Sequence, residues 1–187
     1  MQKIEARQFF LQKRKTLSPA ACSKMDDLLL IQFQKMNWEP LSCVGNFYPM
    51  EKQNEPNSFL LTKYLQFLFP TIKIAYPRVL HATNTMEFFE ATETFTQNKW
   101  GIREPYPIHK IDVTEMEAVF IPLLGFDTFG HRIGFGKGFY DKYFEHPVKN
   151  ALRIGISYFE PILKLEDTNQ FDVPLTHCIT PSKIYEF

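Results

Sequence analysis

Half of the glycines in this chain lie within one short stretch, and this clustering constrains the backbone more than any other feature of the sequence. Four of the eight glycines fall between residues 130 and 138. Glycine adopts positive φ without steric cost, so such a segment can turn several backbone N–H groups toward one anion. Arg132 and Lys137 stand between the glycines. A glycine cluster alone would indicate a mobile surface turn, but these two cations favour a phosphate-binding loop.

The residues on either side of the loop predict a strand before it and a helix after it. Residues 118–122 are a short apolar run that ends in proline, as expected of a buried strand. Apolar residues at 139, 140, 143 and 144 have the spacing of one buried helix face. The N–H groups at the start of that helix would favour the same anion. Strand, glycine loop and helix in this order are typical of phosphate sites in α/β folds.

Spacing excludes two common nucleotide loops. A Walker loop, G-x-x-x-x-G-K-[ST], is excluded because His131 stands six residues before Lys137 and Gly138 follows it. The dinucleotide fingerprint G-x-G-x-x-G fails because the glycine after Gly136 arrives one residue early. The segment Lys-Gly-Phe at 137–139 begins like an RNA-recognition signature. That signature requires a small residue at the next position, where this chain has Tyr140. RNA binding is therefore a weak alternative.

Composition limits the classes of protein that fit. The chain has 187 residues, with 21 basic and 21 acidic side chains, so we expect one domain, 1–187, without the overall charge that would hold nucleic acid or an anionic membrane. Three widely spaced cysteines argue against a disulfide framework or a zinc site. The beginning of the sequence shows no leader-like apolar segment. We expect a cytoplasmic protein that is a monomer and has no nucleic-acid or membrane partner.

Helical and strand patterns alternate along the chain. This alternation predicts an α/β fold with a mostly parallel sheet, whose ligand site lies at the carboxyl ends of the strands. The segment 91–116 is predicted to be rich in loops, and Pro77 is predicted to end a strand. The predicted helices are 3–16, 20–36, 57–69 and the one after the glycine loop, and the predicted strands are 41–48, 71–76, 86–90, 118–122, 152–157 and 177–180.

The first predicted helix carries a basic face. Lys3 and Arg7 are four residues apart, so their side chains share one face and could bind one anion together. Arg14 lies two turns further along. On these residues alone, a solvated basic surface is the better interpretation.

Motifs spread over nearly the whole chain resemble the 5-formyltetrahydrofolate cyclo-ligase family, also called 5,10-methenyltetrahydrofolate synthetase. The glycine loop and its upstream strand carry the strongest part of this resemblance. The matching segments are 119–127 and 130–141, Lys3-x-x-x-Arg7 with Arg14 and Ser18, Glu55-Pro-Asn-Ser58, Tyr76-Pro-Arg78 and 100–105, which reads Trp-Gly-Ile-Arg-Glu-Pro.

The resemblance implies a fold and a reaction. The implied fold is a single three-layer Rossmann-like α/β domain, with a mixed, mainly parallel sheet and helices on both faces. The implied reaction is an ATP-dependent ring closure of 5-formyltetrahydrofolate to 5,10-methenyltetrahydrofolate that requires Mg²⁺ and releases ADP and phosphate. In that chemistry the γ-phosphate activates the formyl oxygen, N10 attacks the activated carbon, and phosphate leaves.

The resemblance also assigns roles to residues of this chain. Lys137 and Arg132 are implied to be catalytic, because they would neutralise the transferred phosphoryl group. Asp141 would hold Mg²⁺, for which carboxylate oxygen is a suitable ligand; a solvated helix residue is the alternative. The implied ATP-binding residues are Lys3, Arg7, Arg132, Ile133, Gly134, Phe135, Gly136, Lys137, Gly138, Phe139 and Tyr140.

A second implied group binds the folate. Glu55 would accept hydrogen bonds from the N–H groups of the pterin, and the aromatic residues would pack against its rings. Simple packing is an alternative role for Tyr48, and a core position is an alternative for Trp100, Phe139 or Tyr140. The implied substrate-binding residues are Tyr48, Met50, Glu55, Trp100, Phe135, Phe139 and Tyr140.

Two departures from the family pattern are visible. In the D-x-x-x-D segment this chain reads Asp172-Val-Pro-Leu-Thr176, so threonine replaces the second acid. If that acid assists Mg²⁺, metal affinity is the property affected. Within the segment 157–161 the family usually carries a glutamine, and here Glu160 and Pro161 occupy that neighbourhood. A non-catalytic folate- or nucleotide-binding relative is therefore the alternative to the enzyme.

Overall fold

A central sheet of eight strands organises the protein. The computed structural model describes residues 1–99, 101–145 and 151–187. The helices are α1 (Lys3–Lys15), α2 (Pro19–Phe33), α3 (Ser58–Leu68) and α4 (Phe139–Phe144). The strands are β1 (Cys43–Gly45), β2 (Lys73–Leu80), β3 (Thr85–Glu90), β4 (Phe95–Gln97), β5 (Arg103–Pro105), β6 (Lys110–Ile111), β7 (Ala118–Pro122), β8 (Gly125–Phe126), β9 (Arg132–Ile133), β10 (Leu152–Ile156), β11 (His177–Ile179) and β12 (Ile184–Glu186). The order of strands in the central sheet is β12-β11-β10-β7-β1-β2-β3-β6, and two-stranded sheets β4-β5 and β8-β9 accompany it.

The sheet is mixed and mainly parallel, as predicted. Strands β2, β1, β7, β10 and β11 run parallel to one another, whereas β3, β6 and β12 are joined through antiparallel pairs at the two ends. The predicted alternation of strand and helix therefore describes the middle of the sheet. It missed β12, the short strands β8 and β9, and the three short strands within the segment 91–116 that was predicted to be loop-rich.

Alternate residues of the central strands pack into two hydrophobic clusters on opposite faces. In β7, Phe120 belongs to the cluster that also contains residues of α1, α2 and α3. Val119 and Ile121 belong to the other cluster, against which α4 packs through Phe144. Successive side chains of a strand point to opposite faces, so this partition confirms the predicted helices on both faces of the sheet.

Pro77 does not end its strand, which corrects one prediction. Strand β2 continues to Leu80 and pairs antiparallel with β3 along its length. The N–H of Val79 points away from β3 and donates to the Glu104 carboxylate. With the period of two in a strand, the nitrogen of Pro77 lies on that same side, beyond the end of β1, where no ladder hydrogen bond is lost.

Strand and helix ends also differ from the predicted ones. Strand β1 is much shorter than 41–48, and α2 ends at Phe33 rather than at residue 36. Ser18 is the N-cap of α2, and its hydroxyl accepts from the Ala21 N–H. Asn57 precedes α3 without a side-chain capping bond.

A close contact between α1 and β8 places the basic helix beside the glycine loop. A Cβ atom added at Gly125 would lie 2.3 Å from the ring of Phe10. Glycine is therefore required at this position for α1 to approach the sheet. Because β8 pairs with β9, which leads directly into the loop, this contact brings the first turns of α1 close to residues 134–138.

All three cysteines are free thiols. Cys43 and Cys178 are buried in the core, and Cys22 is half-buried on α2. No helix among the described residues is long and apolar enough to cross a membrane.

Candidate active site

One cavity of about 680 Å³ opens beside the carboxyl ends of the parallel strands. Pro122 at the end of β7 and Tyr48, three residues after β1, form part of its wall. Trp100 lies outside the described residues. The other predicted site residues all line this cavity: Lys3, Arg7, Tyr48, Met50, Glu55, Arg132, Ile133, Gly134, Phe135, Gly136, Lys137, Gly138, Phe139, Tyr140 and Asp141.

The glycine loop has the backbone conformation that its sequence predicts. Gly136 and Gly138 both have positive φ, of 85° and 68°. Arg7 lies against the loop and donates from Nε to the Gly134 carbonyl at 2.9 Å. The helix that the loop opens, α4, has six residues, so the loop amides and side chains carry more of the anion-binding potential than its short dipole.

We expect Gly136→Ala to destabilise the protein by about 1–2 kcal/mol, because an L-residue is strained at positive φ. An added Cβ would also lie 3.3 Å from Nη2 of Arg7. The matched control is Gly134→Ala, where φ is not positive and nothing lies within 4 Å of the added atom. Urea unfolding of the two variants measures the difference, and equal losses of stability would contradict the assigned backbone geometry.

Two ion pairs link the cations of the site to acidic residues. Arg132 Nη2 donates to Asp141 Oδ1 at 2.5 Å, and Lys3 Nζ lies 2.6 Å from Asp172 Oδ2. The Val173 N–H also donates to Asp141 Oδ1 at 3.3 Å. Burial lowers the pKa of Arg132, and the Asp141 carboxylate opposes this shift. The two carboxylates therefore lie on neighbouring segments at the glycine loop.

Asp141 and Asp172 have the donor chemistry that Mg²⁺ requires. Mg²⁺ is usually bound by one or two carboxylates, with water and phosphate oxygens completing its octahedron. No group of three or more His, Cys, Asp or Glu side chains that could hold a metal occurs in residues 1–99, 101–145 and 151–187. The residues present fit a metal that arrives with a nucleotide better than one held by protein ligands alone. Sequence reasoning missed Asp172, although it is the first acid of the D-x-x-x-D segment.

Thr176 lies away from this site. Its hydroxyl accepts from the Arg153 N–H at 2.8 Å and donates to the Arg153 carbonyl at 3.2 Å, and it does not line the cavity. Glu160 does not line the cavity either; its carboxylate accepts from Ser182 Oγ at 2.6 Å and from the Tyr185 hydroxyl. Neither departure from the family pattern alters the wall of the cavity.

Lys137 differs from the other cations of the loop region. Its side chain is exposed and lines the cavity. Within the described ranges it has no hydrogen-bond or ion-pair partner, whereas Lys3 and Arg132 are paired with acids. An ammonium group on four flexible methylenes that is not held by the protein is available to a bound anion.

The far wall of the cavity is aromatic. The ring of Tyr48 stacks on Tyr76 at 4.2 Å and meets Phe95 edge-on at 5.1 Å. Tyr48 is therefore packed against neighbouring rings and also faces the cavity. Phe135 and Phe139 line the cavity from the glycine loop. A flat, apolar ligand would be bounded by rings from two directions.

Glu55 is a buried acid at this aromatic end. Its Oε2 accepts from the Met50 N–H at 2.8 Å, while Oε1 is buried and finds no hydrogen-bond partner in the part of the chain that the structure describes. Burial raises the pKa of Glu55 to about 7, and the charge of Arg14 opposes this rise. Glu55 can therefore gain or lose a proton close to neutral pH.

The raised pKa predicts a pH-dependent stability. Because the folded protein binds the Glu55 proton more tightly than the unfolded chain, the free energy of unfolding should fall as pH rises from about 4.5 to about 7. The contribution is at most about 3 kcal/mol, since one pKa unit corresponds to about 1.4 kcal/mol. Glu55→Gln should lack this contribution, and the exposed control Glu51→Gln should keep it. Urea unfolding across this pH range measures it, and an unchanged pH dependence in Glu55→Gln would contradict the assignment.

Glu104 is a further cavity residue that sequence reasoning did not assign. Its carboxylate is buried and accepts from the Val79 N–H and from Asn98 Nδ2. It also lines the cavity. The only signal in the sequence was its place in the segment 100–105. It joins β2 to β5 and so shapes the wall that contains Pro77.

The comparison with known families decides where the chain belongs. The family model described as "5-formyltetrahydrofolate cyclo-ligase family" matches residues 1–181. The chain belongs to this family. The 5-formyltetrahydrofolate cyclo-ligase of Haemophilus influenzae is 34% identical over 135 residues, which cover 71% of this chain and 72% of that protein. The probable cyclo-ligase of Schizosaccharomyces pombe is also 34% identical, over 118 residues that cover 58% of its length. The predicted family resemblance, and with it membership of a family of enzymes, is confirmed.

A solved structure supports the same grouping. A 5,10-methenyltetrahydrofolate synthetase from Mycoplasma pneumoniae superposes with a TM-score of 0.76 at 26% identity, over 96% of this chain and 98% of that one. The predicted fold class, a three-layer α/β fold with a mainly parallel sheet, is confirmed by this agreement.

Proposed function

We propose that this protein converts 5-formyltetrahydrofolate to 5,10-methenyltetrahydrofolate with consumption of ATP in the presence of Mg²⁺. One observation carries the proposal: a glycine loop with basic side chains and a flat aromatic compartment with a buried acid open into the same cavity. Such a cavity suits a phosphate donor and a fused-ring acceptor that must meet. The names of the cyclo-ligase relatives support the substrate.

The glycine loop and α1 would bind the triphosphate. The loop amides near Gly136 and Gly138 can converge on phosphate oxygens. Lys3 and Arg7 approach the loop from α1 and line the same cavity. This position supports a role in the site for the basic face that the sequence alone could not distinguish from solvated surface.

Asp141 and Asp172 would hold the magnesium ion together with phosphate oxygens. Bound there, Mg²⁺ would supply charge neutralisation for the phosphates. When a nucleotide enters, Arg132 and Lys3 can exchange their carboxylate partners for phosphate oxygens, because guanidinium and ammonium groups bind both anions. The ion pairs thus keep the cations in place until the anion arrives.

The aromatic compartment would bind the pterin. Its walls include Tyr48, Met50 and the loop residues Phe135 and Phe139. Glu55 offers an unpartnered carboxylate oxygen, which suits the adjacent N–H donors of a pterin edge. This arrangement would present the formyl group toward the glycine loop.

Lys137 would stabilise the negative charge of the phosphoryl group during its transfer. Transfer of the γ-phosphoryl group to the formyl oxygen turns that oxygen into part of a good leaving group. N10 then attacks the formyl carbon, the ring closes, and the C–O bond breaks with release of phosphate. Positioned cations stabilise the negative charge on the phosphoryl oxygens as it passes between donor and acceptor.

The activity assay tests this proposal. Purified protein with 5-formyltetrahydrofolate and Mg²⁺-ATP should form a product with the near-ultraviolet absorbance of the methenyl compound, and omission of ATP should abolish it. Binding of the folate without turnover would instead support the non-catalytic relative. The threonine at 176 no longer favours that alternative, since its side chain lies outside the cavity wall. The cytoplasmic location and the monomeric state stay predictions.

A further inference from the structure

The first helix contains a charged side chain that the proposed reaction does not use. Arg14 is only 2% exposed, and it is the largest of the fully buried side chains in the described structure. It donates from Nη2 to the Leu123 carbonyl, one residue beyond β7. Its Nε and Nη1 atoms are buried and have no hydrogen-bond partner among residues 1–99, 101–145 and 151–187. A guanidinium in this state is unusual, because buried polar groups are normally satisfied.

Glu55, the acid that faces this guanidinium, also has a buried polar atom without a hydrogen-bond partner among the described residues. Nη1 of Arg14 lies 3.8 Å from Oε1 of Glu55, too far for a hydrogen bond, and both side chains are 2% exposed. The other oxygen of Glu55 is held by the Met50 N–H. Oε1 of Glu55 is therefore a hydrogen-bond acceptor for which the described protein atoms supply no donor. Glu55 lines the cavity, whereas Arg14 does not.

The chemistry of a pterin edge explains the spare acceptor. Its ring N–H and its exocyclic amino group are neighbouring donors, and they suit an ionised carboxylate. A protonated carboxyl would lose acceptor capacity and present a donor instead. Three groups face Glu55 from the elements around it: the Arg14 guanidinium, the Tyr140 hydroxyl and the Met50 N–H. Arg14 is the one that carries a positive charge.

We propose that Arg14 is a positioning residue of the folate site, which keeps Glu55 ionised and turned toward the pterin without touching the substrate. The inference rests on the proposed function. Arg14 lies 3.8 Å from Glu55, so it acts on the carboxylate through its charge and not through a hydrogen bond. The Leu123 carbonyl anchors the guanidinium.

The test is a set of substitutions at Arg14 and Glu55. We expect Arg14→Met to raise the KM for 5-formyltetrahydrofolate about tenfold near neutral pH and to leave the KM for Mg²⁺-ATP within about twofold. The pH below which kcat/KM for the folate falls should move up by about one unit, since Glu55 loses the charge that favours its ionised form. Arg14→Lys should restore most of the wild-type pH profile. Lys15→Met removes an exposed charge from the same helix and is the matched control.

A double-mutant cycle separates this role from a structural one. If Arg14 acts through Glu55, Arg14→Met should have less than about a twofold further effect on the folate KM in the Glu55→Gln background. A variant that is less stable but keeps the wild-type folate KM and pH profile would overturn the proposal. Equal changes in both KM values would also overturn it. Arg14→Gln serves if Arg14→Met does not fold, because glutamine removes the charge but keeps a hydrogen-bond donor.

A separate measurement distinguishes failure of the proposed enzymatic activity from failure of the proposed role of Arg14. If the wild-type protein binds 5-formyltetrahydrofolate but forms no product, the same variants are compared by the dissociation constant of the folate across pH. Weaker, pH-shifted binding in Arg14→Met would still support the role of Arg14. Unchanged binding would reject it.

Discussion

Lys137→Ala is expected to lower kcat for methenyl product by about 10²- to 10³-fold, the usual cost of removing one group that stabilises transition-state charge. Lys137 lines the cavity. It has no ion-pair partner in the described parts of the chain, so its ammonium group is free to neutralise a transferring phosphoryl group. The aromatic compartment that we propose for the pterin lies around Tyr48 and Glu55, and Lys137 is not among its proposed binding residues. The affinity for 5-formyltetrahydrofolate should therefore stay within about twofold of the wild-type value.

Turnover and folate binding are measured on the same preparations, the first by product absorbance and the second by calorimetry. Lys142→Ala is the control, because Lys142 lies on α4 but does not line the cavity. A Lys137→Ala variant that keeps wild-type turnover would show that the transferred charge is stabilised elsewhere, with Arg132 as the next residue to replace. A parallel loss of folate affinity would place Lys137 in the binding of both substrates.

Asp141→Asn and Asp172→Asn should each raise the Mg²⁺ concentration needed for half-maximal activity, by at least about tenfold. Both carboxylates line the cavity at the glycine loop, and each substitution removes a charged oxygen while preserving side-chain shape. A metal bound through two carboxylates and phosphate oxygens loses a large share of its protein contacts in either variant. Thr176→Val should leave the Mg²⁺ requirement unchanged, although loss of its bonds to Arg153 should cost about 1 kcal/mol of stability.

Mg²⁺ titrations at saturating folate distinguish these three variants. Unfolding measurements accompany them, because Asp141→Asn also weakens the ion pair with Arg132. If only Thr176→Val raised the Mg²⁺ concentration needed for half-maximal activity, the metal would bind near Thr176, and the assignment of Asp141 and Asp172 would be rejected. If neither asparagine variant changed the Mg²⁺ concentration needed for half-maximal activity, the metal would be bound through ATP and not through these carboxylates.

Local sequence patterns predicted the parts of the site that lie close together in the chain. The positive φ values at Gly136 and Gly138 follow from residue type. The strand before the loop and the helix after it follow from apolar spacing within a few residues. The boundaries of β1 and β2 were less well predicted, because β1 ends early and β3 extends the pairing of β2 past Pro77. Pairing partners, and not strand propensity, determined where those strands stop.

The sequence by itself determined the class of fold, the glycine loop with its cations, and the family, because each depends on residue types at short, fixed spacings. The tertiary structure decided which distant segments meet. Lys3 is paired with Asp172, which is 169 residues away in the chain. The guanidinium of Arg14 on α1 lies 3.8 Å from the carboxylate of Glu55, in the loop before α3. Thr176 stands only four residues after Asp172 in the chain, but its side chain is hydrogen-bonded to Arg153 and does not line the cavity. Such contacts depend on how helices pack on the sheet, and packing is a property of the whole chain that no local pattern records.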